Sequence, residues 1–99
     1  MTNEMKSDVA GTEVADIEVG KTYFFQTVTH NYVGMVEASS PAFVRCSELA
    51  AVFETGPYSD FFQGRPKICE PCAPGLIPIG ALTYVGDWPW PIPTKAIGL

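Results

Sequence analysis

The chain has 99 residues and a mass of 10.7 kDa, which allows one small domain with a thin core, since only about two thirds of the unfolded surface can be buried at this size. Hydrophobic residues make up 46% and charged residues 17%, a folded rather than a disordered composition. No apolar run approaches a membrane span and residues 1–20 lack the basic start and apolar middle of a secretion signal, so a soluble protein made in the cytoplasm is expected. The net charge of -5 is concentrated at one end: Glu4, Asp8, Glu13, Asp16 and Glu18 face Lys6 alone, leaving six acids and five bases in the rest. A nearly neutral body with an acidic arm lacks the basic footprint of a nucleic-acid or anionic-membrane binder.

Residues 1–16 are polar, carry Gly11 and show no apolar period, so they read as an extended acidic arm that orders only on a neighbouring subunit. Lys21 to Thr29 is rich in aromatic and β-branched residues and predicts a strand. A turn near His30-Asn31 leads to a second strand over Tyr32 to Ala38, with Gly34 where a strand bends or bulges. Ser39-Ser40-Pro41 makes a turn, and Ala42 to Ser47 predicts a third strand with Ala42, Val44 and Cys46 on one face. Glu48 to Glu54 fits either a turn of helix or a continuation of the sheet.

Gly56-Pro57 ends that segment, and Tyr58 to Gln63 predicts a short helical turn closed by Gly64. Four prolines between Pro66 and Pro78 exclude a long helix and any central strand, so this stretch is expected as an ordered excursion over one end of the sheet. Ile79 to Val85, joined by Leu76 and Ile77, predicts a final strand. Trp88-Pro-Trp-Pro-Ile-Pro93 opens a stiff, polyproline-like tail over 88–99 that suits reaching across another surface. The expected division is therefore arm 1–16, domain 17–87 and tail 88–99, and the expected fold is mainly β, a small five-stranded barrel with short helical turns.

This order of elements is that of the Src-homology-3-like and Sm-like barrels. Tyr32-Val-Gly-Met-Val-Glu-Ala38, with Phe43-Val-Arg-Cys-Ser47 and Leu49-Ala-Ala51, resembles the first Sm motif, and Ile79-Gly-Ala-Leu-Thr-Tyr-Val85 resembles the second. Ile79 stands where that family places its RNA-facing arginine, and Ser39-Ser40 replaces its acidic turn. A broader likeness runs from Val19 to about Pro93. Val19-Gly-Lys-Thr-Tyr23, Thr27-Val-Thr-His30, Ala50-Ala51, Glu54-Thr-Gly56, Glu70-Pro71, Gly80-Ala81 and Trp88 resemble a group of small uncharacterised proteins of bacterial and phage genomes. That resemblance implies a phage connection and no mechanism.

Cys69-Glu-Pro-Cys72 is the one conventional chemical motif, and with Cys46 and His30 it supplies four ligands of the kind zinc prefers. A lone cysteine pair is weak support for a metal, so no metal or cofactor is expected and these four stand as candidates only. Prolines beside the motif argue against thioredoxin-like chemistry, which needs a helix start. The odd cysteine count makes Cys69 and Cys72 candidates for a disulfide, with a bond to a neighbouring chain in mind.

With one histidine and no phosphate loop or serine-nucleophile motif, Glu37, Glu48, Glu54, Asp60 and Asp87 have no evident acid–base partner, and no enzyme is expected. Lys21, Arg45, Arg65 and Lys67 are scattered bases that would meet phosphate only if a ring gathered them. The aromatic surplus is more informative. Tyr23, Phe24 and Phe25 are consecutive, so their rings alternate between the two faces of a strand, and one barrel interior cannot hold both sets. Tyr23, Phe24, Phe61, Phe62, Trp88 and Trp90 are therefore the candidate interaction residues. The expected function is a structural or assembly protein that binds copies of itself or a larger scaffold, such as a virion component decorating a phage capsid or joining head to tail. An Sm-like nucleic-acid ring and a small zinc module are the alternatives.

Overall fold

A computed structural model describes residues 17–99; the arm expected over 1–16 lies outside the described residues. Six strands follow in chain order: β1 (Thr22–Thr27), β2 (Asn31–Ser39), β3 (Phe43–Glu54), β4 (Ile68–Cys72), β5 (Gly75–Pro78) and β6 (Leu82–Asp87). A helical turn, α1 (Tyr58–Phe61), sits between β3 and β4, and a 3-10 turn over Ile79–Ala81 joins β5 to β6. All pairings are antiparallel, in the order β4–β3–β2–β1–β6, with β5 also paired to β3.

Registers show why six strands occupy five positions. Leu49 to Glu54 of β3 pair with β4, and Phe43 to Cys46 pair with β5, both opposite the edge that β2 takes. β4 and β5 thus lie end to end along one edge, interrupted at Ala73-Pro74. Prolines 71, 74 and 78 fall in or beside these two strands, and an edge is where a missing N–H is tolerated. The stretch expected as an excursion is an edge pair of strands, and no central strand runs through it.

The closed barrel expected from the sequence is not formed: among the described strands no ladder joins β5 or β4 to β6. The predicted strand over Ile79 to Val85 is also corrected, since the chain makes its 3-10 turn over Ile79–Ala81 before β6 begins. That turn joins β5 on one edge to β6 on the other without a ladder between them, so the sheet stays open. The register of β2 with β3 slips on both sides of Val36, the kind of irregularity that bends a strand. Gly34 permits it: a Cβ there would lie 2.9 Å from Leu49 Cδ1 and 3.0 Å from both Cys46 Sγ and Glu48 O.

Both faces of the sheet carry a core. One contains Phe24, Val33, Ala50, Val52 and Cys69, and is covered by Phe61 of α1 and by Trp88 and Ile92. The other holds Tyr23, Phe25, Val36, Val44, Cys46, Leu49 and Ile77. Glu48 to Glu54 continues β3 rather than turning into helix because it is paired on both edges and buried on both faces from Leu49 to Val52. The segment from Trp88 onward does not reach outward as expected. Trp88 N–H donates to Thr22 O at 3.1 Å, and Ile97 exchanges two backbone hydrogen bonds with Cys69, at 2.8 and 3.0 Å. Prolines at 89, 91 and 93 remove donors, yet Trp88 and Ile92 are buried and Trp90 packs half-buried against the same core.

Candidate interaction surface

α1 begins after Pro57, whose carbonyl accepts from the Asp60 and Phe61 N–H groups, and is followed by Gly64 at φ +86°, a conformation suited to glycine. The turn sends Phe61 inward, where its ring meets Phe24 edge-on at 4.9 Å and Trp88 at 4.8 Å. Residues four apart share a side of a helical turn. Tyr58 and Phe62 accordingly stack at 5.7 Å with an interplanar angle of 22°. Phe62 meets Phe24 at 6.1 Å, and Phe24 meets Tyr84 of β6 at 5.8 Å. The result is an aromatic row, Tyr58–Phe62–Phe24–Tyr84, crossing from α1 over β1 to the free edge strand.

Phe24 is buried, whereas Tyr58, Phe62 and Tyr84 are 58%, 41% and 49% exposed. The exposed rings are held in place from behind. Trp90 Nε1 donates to Phe62 O at 3.3 Å, and the Trp90 indole lies against Gly64, where a Cβ would come within 2.8 Å of its Cγ. The Tyr84 ring folds over Gly86 of its own strand, which has no side chain to displace it. Two exposed ion pairs, Asp60–Arg65 at 3.3 Å and Glu54–Lys67 at 3.5 Å, neutralise charges on and beyond α1. Exposed pairs of this kind contribute little stability.

Of the six interaction candidates from the sequence, Phe62 is exposed and Trp90 is half-buried against the core. Tyr23, Phe24, Phe61 and Trp88 are corrected: all four are buried in the chain's own interior. The alternation argument placed Phe24 opposite Tyr23 and Phe25, as observed, but α1 and the C-terminal segment cover the face it enters. Tyr58 and Tyr84 were missed. The four-residue spacing of Tyr58 and Phe62 was the available signal for the first, and the alternation Tyr84, Gly86 for the second.

The cysteine candidates are separated by the sheet. Cys46 lies in the core bearing Tyr23 and Phe25, Cys69 in the core on the opposite face, and Cys72 is exposed. His30 sits in the β1–β2 turn, its Nδ1 2.7 Å from Thr29 Oγ1 and its ring stacked on Tyr32 at 6.1 Å. These four side chains are not brought together, and no cluster of three His, Cys, Asp or Glu residues occurs among the described residues. Cys69 and Cys72 are both free thiols. Burial, and to a lesser degree the neighbouring Cys72, pushes the Cys69 thiol up, and burial pushes Cys46 up to about 11, the opposite of what a nucleophile or metal ligand needs.

A concavity of about 420 Å³ opens between the β1–β2 turn and the β5–β6 connection, with Thr27, His30, Leu49, Leu76, Ile77 and Leu82 among the residues that line it. No helix among the described residues is long and apolar enough to cross a membrane. Comparison with protein-family models, with curated proteins and with solved structures finds no match for the chain.

Proposed function

We propose that this chain is a non-enzymatic assembly protein that binds a neighbouring subunit or a larger protein scaffold through the row of Tyr58, Phe62 and Tyr84. The observation that carries the reading is the combination of half-exposed rings with a rigid backing of Phe24, Phe61 and Trp90. Aromatic side chains with little rotamer freedom left to lose are the typical anchors of protein contacts. The concrete form suggested by the resemblance to phage-encoded proteins is a virion component, a capsid decoration or head-to-tail protein. Nucleic-acid binding by an Sm-like ring is less favoured, because Arg65 and Lys67 are already paired with Asp60 and Glu54.

Tyr58→Ala combined with Phe62→Ala tests the proposal. Both side chains are exposed, so circular dichroism and the unfolding midpoint should change little. Association, read by analytical ultracentrifugation and by capsid binding, should weaken by about 10- to 100-fold, the loss of one or two anchors. A wild-type chain that binds neither itself nor a capsid, or a double variant that binds as well as wild type, overturns the proposal. Submicromolar RNA or DNA binding at physiological salt, abolished by Arg45→Ala, would put the nucleic-acid ring in its place.

A further inference from the structure

The two edges of the sheet are unequal. Along β4 and β5, prolines 71, 74 and 78 remove donors, and Ile97 already occupies Cys69. β6, reading Leu-Thr-Tyr-Val-Gly-Asp, contains no proline and, among the described strands, pairs only with β1. Its hydrogen-bonding phase follows from one bond. Trp88 N–H donates to Thr22 O, and the register continues through Gly86↔Phe24 and Tyr84↔Gln26, so these alternate residues address β1. The backbone groups of Val85 and Asp87 therefore face away from β1, and Thr83, at the slip in register, is matched to no β1 residue in the ladder, its hydroxyl donating to Gln26 O at 3.1 Å. Among the described residues no strand pairs with this edge.

We propose that β6 is the docking edge for a second copy of this chain, forming an antiparallel β6–β6 ladder about a two-fold axis at Val85. That axis sets Val85 against Val85 of the other copy and Asp87 against its Thr83, so the outward N–H and C=O groups of one strand meet those of the other. The edge is complementary to itself in three further respects. Tyr84 comes opposite Gly86 of the other copy, so the two Tyr84 rings, each lying over Gly86 of its own strand, are set side by side across the axis. The two Asp87 carboxylates are held at opposite ends of the ladder, and each faces a threonine instead of a like charge. Each chain carries a net charge of -5, but only -1 of it, six acids against five bases, lies beyond residue 19, so the part of the chain that bears β6 adds little to the repulsion between two copies. The β4–β5 edge of a second copy cannot take this place, since its prolines leave gaps in the row of donors.

The pairing does not depend on Tyr58 and Phe62, so it is separable from the assembly reading above. Sedimentation of the full chain at high micromolar concentration should give twice the 10.7 kDa chain mass. Val85→Pro removes an outward N–H without touching the ladder to β1, and should raise the dimer dissociation constant by about tenfold or more while the circular dichroism spectrum is kept. Should that variant misfold, Val85→Cys in a Cys72→Ser background supplies a second measurement. Thiols paired across the two-fold axis are within disulfide reach, so mild oxidation should give a covalent dimer in high yield. A monomeric wild type, a larger closed ring, a folded Val85→Pro dimer of unchanged affinity, or a Val85→Cys chain that does not cross-link would each overturn the inference.

Discussion

Trp88 decides whether the C-terminal segment belongs to the fold. It is 1% exposed, packs on Phe61 and closes the core that contains Phe24, Val33 and Ile92. Truncation to alanine removes the largest of the fully buried side chains from a thin core, and losses of about 3–5 kcal/mol are usual for such a change. That is comparable with the whole stability of a small domain, about 5 kcal/mol at the low end. Trp88→Phe should behave differently. It leaves a void of roughly 40 Å³, worth about 1 kcal/mol. It also removes an indole Nε1 that is buried with no hydrogen-bond partner, a group whose burial costs about 1–3 kcal/mol. The two terms oppose each other, so Trp88→Phe should fall within about 1 kcal/mol of wild type, or above it. Urea unfolding followed by circular dichroism measures both variants. Equal losses for alanine and phenylalanine would refute the role given to the unpartnered donor, and an alanine variant as stable as wild type would show that the segment is not part of the core.

Gly34→Ala forces a Cβ against Leu49 Cδ1, Cys46 Sγ and the Glu48 carbonyl; the carbonyl cannot yield, so a loss of about 1–3 kcal/mol is expected in urea unfolding, and an unchanged midpoint would contradict the packing described. With a disulfide reagent at pH 8 one thiol, Cys72, should react quickly, and Cys46 and Cys69 only on unfolding, because both are buried. Burial raises the Cys46 thiol from 9.0 to about 11, so between these values the unfolded chain releases a proton that the folded chain keeps. Stability should therefore be intact below pH 9 and decline as pH rises toward 11, by at most about 2–3 kcal/mol from this group. Cys46→Ala should show a shallower alkaline decline, and identical pH profiles for the two proteins would refute the assignment.

The β content, the first two strands, the bend at Gly34 and the helical turn at Tyr58 are legible in the sequence because each rests on a local signal. Two features are not. The run Glu48-Leu-Ala-Ala-Val is helical or extended by propensity, and only its neighbours β2 and β4, distant in sequence, settle it as strand. The tail reads as outward-facing because its prolines forbid a ladder, but a ladder is not the only way to bury a segment. Trp88, Trp90 and Ile92 alternate with those prolines and lie on one side of an extended chain, and that side closes over Phe24 and Phe61. The same spacing is compatible with a solvated polyproline arm, so the sequence alone does not separate the two.

Tyr23-Phe24-Phe25 connects the fold to the proposed surface. Consecutive rings on a central strand demand apolar cover on both faces. One face obtains it from the curl of the sheet, and the other from a four-residue helical turn and a short C-terminal segment. Cover on that second face extends across Phe24 and Val33 but stops short of β6, the last strand. The aromatic row therefore marks the rim of a core that the described residues do not fully enclose: Tyr58 and Phe62 lie at its helical side and Tyr84 on its edge strand. A neighbouring chain seated on this rim would complete the burial that residues 17–99 leave unfinished.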